Sequence, residues 1–126
     1  MLEILRRRVK EALKTESSAT LSTYGPGGIQ VGIFPCEVLD LVLYLLVPAS
    51  LDVLFNLESE TAVVVTTSRW QIEGNARVCP PAQQPPTLKF TRSPQAQGCA
   101  LVAVTPDRIH LSLADSQGYR ETIDLW

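Results

Sequence analysis

The sequence predicts a mainly β protein, an antiparallel barrel of six to seven strands with minor α content. Three observations carry that expectation. Strand-like segments follow one another along most of the chain, the connections between most of them are brief, and only one long segment repeats its apolar residues at helical spacing.

That helical segment comes first. Leu2, Leu5, Val9 and Leu13 recur at intervals of three and four, and Arg6, Arg7, Arg8, Lys10, Glu11 and Lys14 fill the remaining face. Residues 1–14 therefore read as an amphipathic N-terminal helix whose basic side is solvated. From Ser18 the period shortens to two. Ala19 to Tyr24 alternates, Gly25-Pro26-Gly27-Gly28 turns the chain, and Ile29 to Phe34 returns as the second arm of a hairpin. These glycines lack the following Lys-Ser/Thr of a phosphate-binding loop and open no helix, so they read as a turn.

Val38 to Val47 is almost unbroken in apolar residues, which reads as one strand buried on both faces and ended by Pro48. Ser50 is expected to cap a short helix over residues 52–57. Glu60 to Thr67 and Trp70 to Val78 give two more strands, and Gly74 in the second marks a bulge or a close backbone approach. Residues 80–98 are rich in Pro and Gln and read as a surface loop with at most one helical turn around Thr87 to Phe90. Two strands, Cys99 to Val104 and Arg108 to Leu113, are expected around a turn at Thr105-Pro106-Asp107, and Tyr119 to Trp126 closes the sheet.

Residues 1–126 suit one domain, and a 45% hydrophobic composition with mean hydropathy +0.10 suits a chain that buries further surface in an oligomer. A net charge of −2 and a pI near 5.3 give no case for nucleic acid. The apolar run from Val31 to Val47 is interrupted by Pro35, Glu37 and Asp40 and is too short to span a bilayer. The basic N-terminus lacks the apolar stretch of a signal peptide, and Cys36, Cys79 and Cys99 form no CxxC pair. Reduced thiols, a cytoplasmic location and no metal site are the expectations. Charge is unevenly spread: residues 15–68 contain no Lys or Arg, yet hold Glu16, Glu37, Asp40, Asp52, Glu58 and Glu60. His110 is the single histidine, so no His-rich metal site or specific catalytic triad is legible and no catalytic residue is assigned.

Four stretches in series resemble the pyridoxamine 5'-phosphate oxidase-like, FMN-binding split barrels. They are Ala19-Thr20-Leu21-Ser22-Thr23 with Gly27-Gly28-Ile29-Gln30-Val31; Leu43-Tyr44-Leu45-Leu46 with Ser50 and Asn56-Leu57-Glu58; Thr61-Ala62-Val63-Val64-Val65 leading to Ile72-Glu73-Gly74-Asn75-Ala76-Arg77-Val78; and Val102-Ala103-Val104-Thr105-Pro106-Asp107-Arg108-Ile109. The resemblance implies a six-stranded Greek-key barrel, a homodimer, and FMN in the groove between subunits serving a flavin-dependent oxidoreductase. It implies contacts to the cofactor from the backbone of Val31, Gly32, Ile33 and Phe34, from Ser50 and Leu51, from Thr66 or Thr67, and from the side chains of Trp70 and Gln71. Where such proteins carry Lys or Arg for the flavin phosphate, this chain has Asp52, Val53 and Phe55 after Ser50, and Gln30 on the second strand. A split-barrel dimer that has given up flavin and acts as a binding or structural module is the alternative. A different planar cofactor such as haem would turn to His110 for an axial ligand.

Overall fold

The computed structural model describes residues 2–112 and 121–125. Its elements are α1 (Leu2–Leu13), β1 (Ser18–Gly25), β2 (Gly28–Leu39), β3 (Val42–Pro48), α2 (Asp52–Leu57), β4 (Ala62–Thr66), β5 (Trp70–Cys79), β6 (Cys99–Leu111) and β7 (Glu121–Asp124), with three single 3₁₀ turns between β5 and β6. All strand pairings are antiparallel. The sheet order β3-β2-β1-β4-β5-β6-β7 is closed by an added β3–β6 pairing, so six strands form a barrel and β7 lies outside it. Its non-sequential neighbours, β1 with β4 and β3 with β6, distinguish it from a simple meander. The parts of Leu113 to Arg120 and Trp126 in the expected last strands lie outside the described residues.

β6 makes the closure possible. One edge pairs with β5 along its length; the other pairs with β3 through Val104 and with β7 from Arg108 onward. Pro106 occupies the gap between those two neighbours, where a missing N–H breaks no ladder bond on that edge. The turn expected at Thr105-Pro106-Asp107 is therefore corrected to continuous strand. Opposite Pro106 the β5–β6 register shifts between Glu73 and Gly74, and a Cβ on Gly74 would stand 2.4 Å from the Thr105 carbonyl oxygen. The close approach expected of Gly74 is present.

A second correction concerns residues 38–47. They are two strands joined at Asp40 and Leu41, whose φ angles of +50° and +68° make a tight hairpin without glycine. The unbroken apolar run concealed the turn because Leu41 continues to pack against the core, while only Asp40 carries turn chemistry.

The barrel interior is aliphatic. Leu21, Leu43, Leu45, Val47, Val65, Ile72, Val102, Val104 and Ile109 meet around Trp70, and Val9 and Leu13 of α1 join the same cluster. A second cluster lies outside the wall, where Tyr44, Leu46, Leu101 and Ala103 are covered by Leu88 of the 80–98 loop. Glu37 fastens that loop: its carboxylate accepts bonds from the backbone N–H of Lys89 and Phe90 at 3.0–3.1 Å. The expected loop thus contains turns at Pro81–Gln83, Phe90–Arg92 and Pro94–Ala96.

Candidate functional site

Alternation along β2 decides what the barrel shows to solvent. Phe34 turns inward and is 5% exposed, while Ile29, Val31 and Ile33 point outward at 72%, 58% and 73% exposure. Strand register extends this outer surface sideways in rows. Ile33 lies opposite Thr20, Thr20 opposite Thr66, and Thr66 opposite Gln71. In the next row Val31, Ser22, Val64 and Glu73 follow in the same way. At about 4.8 Å between strands, a four-residue row spans about 14 Å. The surface is apolar along β2, lined with hydroxyls on β1 and β4, and bounded by the amide of Gln71.

The edge of this surface is set by α2 and the turn before it. Asn56 is fully buried and ties the helix to the β1–β2 turn: its Nδ2 donates to Thr23 Oγ1 at 3.1 Å and to the Gly28 carbonyl at 3.0 Å, and its Oδ1 accepts from Gly27 N–H at 3.1 Å. The knot presents Leu51 and Phe55, one helical turn apart and 39% and 51% exposed, beside the β2 row. Ser50, Leu51, Asp52 and Val53 close a cleft of about 200 Å³ with Gln30, Val31 and Phe34. The expected cap is corrected: Leu51, not Ser50, precedes the helix, and no side chain caps it.

Most of the sequence-derived site residues come together here. Val31, Phe34, Ser50 and Leu51 line the cleft, and Ile33, Thr66 and Gln71 share one row. Others face elsewhere. Gly32 points inward, where the ring of Phe34 occupies the place a side chain would take. Trp70 is fully buried in the barrel core, so its indole does not reach the outer surface. Thr67 folds its hydroxyl into the β4–β5 turn, accepting from the N–H of Arg69 and Trp70 at 3.2 and 3.1 Å. Thr20, Ser22, Tyr24, Ile29 and Val64 belong to the surface and escaped sequence reasoning. Their signal was the alternation of β1 and β4, which becomes a site only when register aligns the strands.

The charged groups are disposed around this surface, and the cleft lining holds Asp52 and no Lys or Arg among the described residues. Arg8 pairs with Glu121, Lys10 with Asp40 (3.6 Å), Arg69 with Glu16 (3.6 Å) and Arg108 with Asp124 (2.6 Å). His110 is held from both sides: Nε2 lies 2.5 Å from Glu73 Oε2 and Nδ1 lies 2.8 Å from Thr122 Oγ1. Burial, aided by nearby Glu16, pushes the Cys36 thiol up to about 12, so it is protonated and unreactive at neutral pH. No group of metal-ligating side chains occurs among the described residues. The same is true of any helix long and apolar enough to cross a membrane.

Tested against this geometry, FMN fits in part. The outer surface offers exposed apolar side chains beside hydroxyl and amide groups for a flavin ring. The cleft at Ser50 offers a carboxylate where the phosphate group would need cations.

A closed six-stranded barrel with an outlying seventh strand and this helix placement defines the split-barrel class. Solved structures with the same fold include a Clostridium acetobutylicum protein related to general stress protein 26, of the pyridoxinephosphate oxidase family (TM-score 0.67, 9% identity, covering 98% of this chain and 96% of that one). HutZ, the haem storage protein of Vibrio cholerae, matches with TM-score 0.63 and 15% identity over 85% of this chain and 94% of its own. A FAD-binding protein of Mesorhizobium loti matches with TM-score 0.57 and 10% identity over 82% and 90%. No protein-family model matches the sequence, and no curated protein matches it. The chain has the fold of the pyridoxamine 5'-phosphate oxidase-like split barrels, as its motifs led us to expect.

Proposed function

We propose that this protein is a flavin-binding split barrel that acts as a homodimer, holding the flavin ring on the outer face of β2, β1, β4 and β5 in the groove between two copies. The observation that carries the reading is the open apolar row Ile29–Val31–Ile33 beside the hydroxyl-bearing rows of β1 and β4. Monomeric proteins seldom leave a continuous apolar surface of this kind uncovered. A flat ring gains from burial on β2, and Thr20, Ser22, Thr66 and Gln71 supply hydrogen-bonding groups for its polar edge. A bound flavin would supply the redox chemistry of an oxidoreductase; the residues of this face would orient the ring and exclude water. The FAD-binding and pyridoxinephosphate oxidase-family relatives in fold support flavin. The haem-storage relative supports haem less well here, because both ring nitrogens of His110 already have partners.

Titration of the purified protein with riboflavin and FMN tests the reading, followed by quenching of flavin fluorescence and paired with mass measurement by light scattering. Saturable quenching and the mass of two chains are expected. Ile33→Glu leaves the core untouched, since the side chain is exposed, and is expected to give a folded monomer without quenching. A wild-type dimer that quenches neither flavin would favour the alternative, a split barrel serving as a binding or structural module. A wild-type monomer that quenches neither would overturn both.

A further inference from the structure

We infer that the ligand of this face is selected for lacking a phosphate: the site takes an uncharged planar molecule of the riboflavin class and discriminates against FMN. The inference rests on the proposed ring-binding face and specifies what lies at its end. The cleft that continues the face between β2 and α2 is lined by Gln30, Val31, Phe34, Ser50, Leu51, Asp52 and Val53. Its polar side chains are one amide, one hydroxyl and one carboxylate. A phosphate placed there meets Asp52 with no compensating cation, and the sequence supplies none from residue 15 to residue 68.

Two cations at the far ends of these strands are held in ion pairs. Arg69 follows β4, two strands away from β2 (about 10 Å), and pairs with Glu16 at 3.6 Å. Lys10 is paired with Asp40 in the β2–β3 turn. Absence of two charge-assisted hydrogen bonds weakens the hold on an anion about 10²- to 10⁴-fold, and Asp52 adds repulsion at short range. A ligand ending in hydroxyls incurs neither loss, because a sugar-alcohol chain can bond to the Ser50 hydroxyl and to the side-chain carbonyl of Gln30, whose Nε2 donates to the Gly27 carbonyl at 2.8 Å.

Competition between riboflavin and FMN for the intact protein tests this, read as two dissociation constants from fluorescence quenching at low salt. Riboflavin is expected to bind at least tenfold more tightly than FMN. Asp52→Lys is expected to tighten FMN tenfold or more while moving riboflavin less than threefold, and Asp52→Asn, the milder variant, to move FMN in the same direction. FMN binding tenfold more tightly than riboflavin in the wild type would overturn the inference while leaving the ring-binding face intact. Loss of an FMN preference in Arg69→Ala would identify the anchoring cation in that case. If neither flavin binds a folded dimer, the ring-binding face itself is wrong and the inference falls with it.

Discussion

Asn56 shows how much a single side chain arranges. It sits at zero exposure and satisfies three partners on the β1–β2 hairpin, so truncation removes the bonds and leaves the groups of the turn unpaired. Asn56→Ala is expected to destabilise the fold by about 2–4 kcal/mol in chemical denaturation, at about 1 kcal/mol per bond with the added cost of a cavity. Gly25 belongs to the same knot, since a Cβ there would lie 2.7 Å from Asn56 Oδ1. Gly25→Ala is therefore also destabilising, and its effect in the Asn56→Ala background should be smaller than in the wild type, because the two nearest clashing atoms are gone while the Cα at 3.1 Å remains. Cys36 gives a pH signature. Its folded-state value is raised from 9.0 to about 12, so the native protein retains a proton that the unfolded chain releases. The associated stability is complete below pH 9 and is lost as pH rises from 9 toward 12. Cys36→Ser should flatten that decline, and native-state alkylation at pH 8 should label the partly exposed Cys99 well before Cys36. Gly74 was legible as a special position because glycine in an alternating strand has few other uses. The partners of Asn56 were not, because they lie 28 to 33 residues away in the chain.

At the scale of elements, the two corrected segments share a cause. Local signals report what a residue prefers, and both Leu41 and Pro106 sit where tertiary structure overrules preference. Leu41 accepts a left-handed backbone conformation costing about 1–2 kcal/mol while its side chain packs beside the core. Pro106 is tolerated in mid-strand because β6 exchanges one neighbour for another at that point. The compensating device is the β5 bulge with Gly74. Gly74→Ala would push a methyl carbon to 2.4 Å from a backbone carbonyl that cannot rotate away. The expected result is a loss of more than about 2 kcal/mol or failure to accumulate as soluble protein, measured by urea denaturation. Leu88 tests the other wall. It is 1% exposed and is the lid on Tyr44, Leu46 and Leu101, so Leu88→Ala should cost about 2–5 kcal/mol even though it lies in a Pro-rich loop. Composition marked that loop as surface and carried no sign of this anchor, whose importance comes from what lies beneath it.

For the whole molecule, the proposed function asks one surface to serve two ends. Under that reading the exposed apolar row of β2 is both the face offered to a second copy and the bed offered to a ligand, so dimerisation and ligand binding would be thermodynamically linked, each strengthening the other by the same factor if they are compatible. The succession of strands was readable from the chain because alternation is local, while the closed barrel and the site positions Ile33, Thr66 and Gln71 came from the family resemblance. That these three share one row with Thr20 was not readable, because they become neighbours only through register. Linkage makes the shared use measurable. Riboflavin at a hundred times its dissociation constant should stabilise the wild-type protein by about 2.7 kcal/mol by mass action, seen as a rise in melting temperature and a fall in the dimer dissociation constant. Ile33→Glu should abolish both responses together while leaving the monomer's own denaturation midpoint close to that expected for an exposed substitution. If the ligand stabilises the protein but promotes its dissociation into monomers, the two uses compete for the same face, and the inter-subunit groove is the wrong place for the ring.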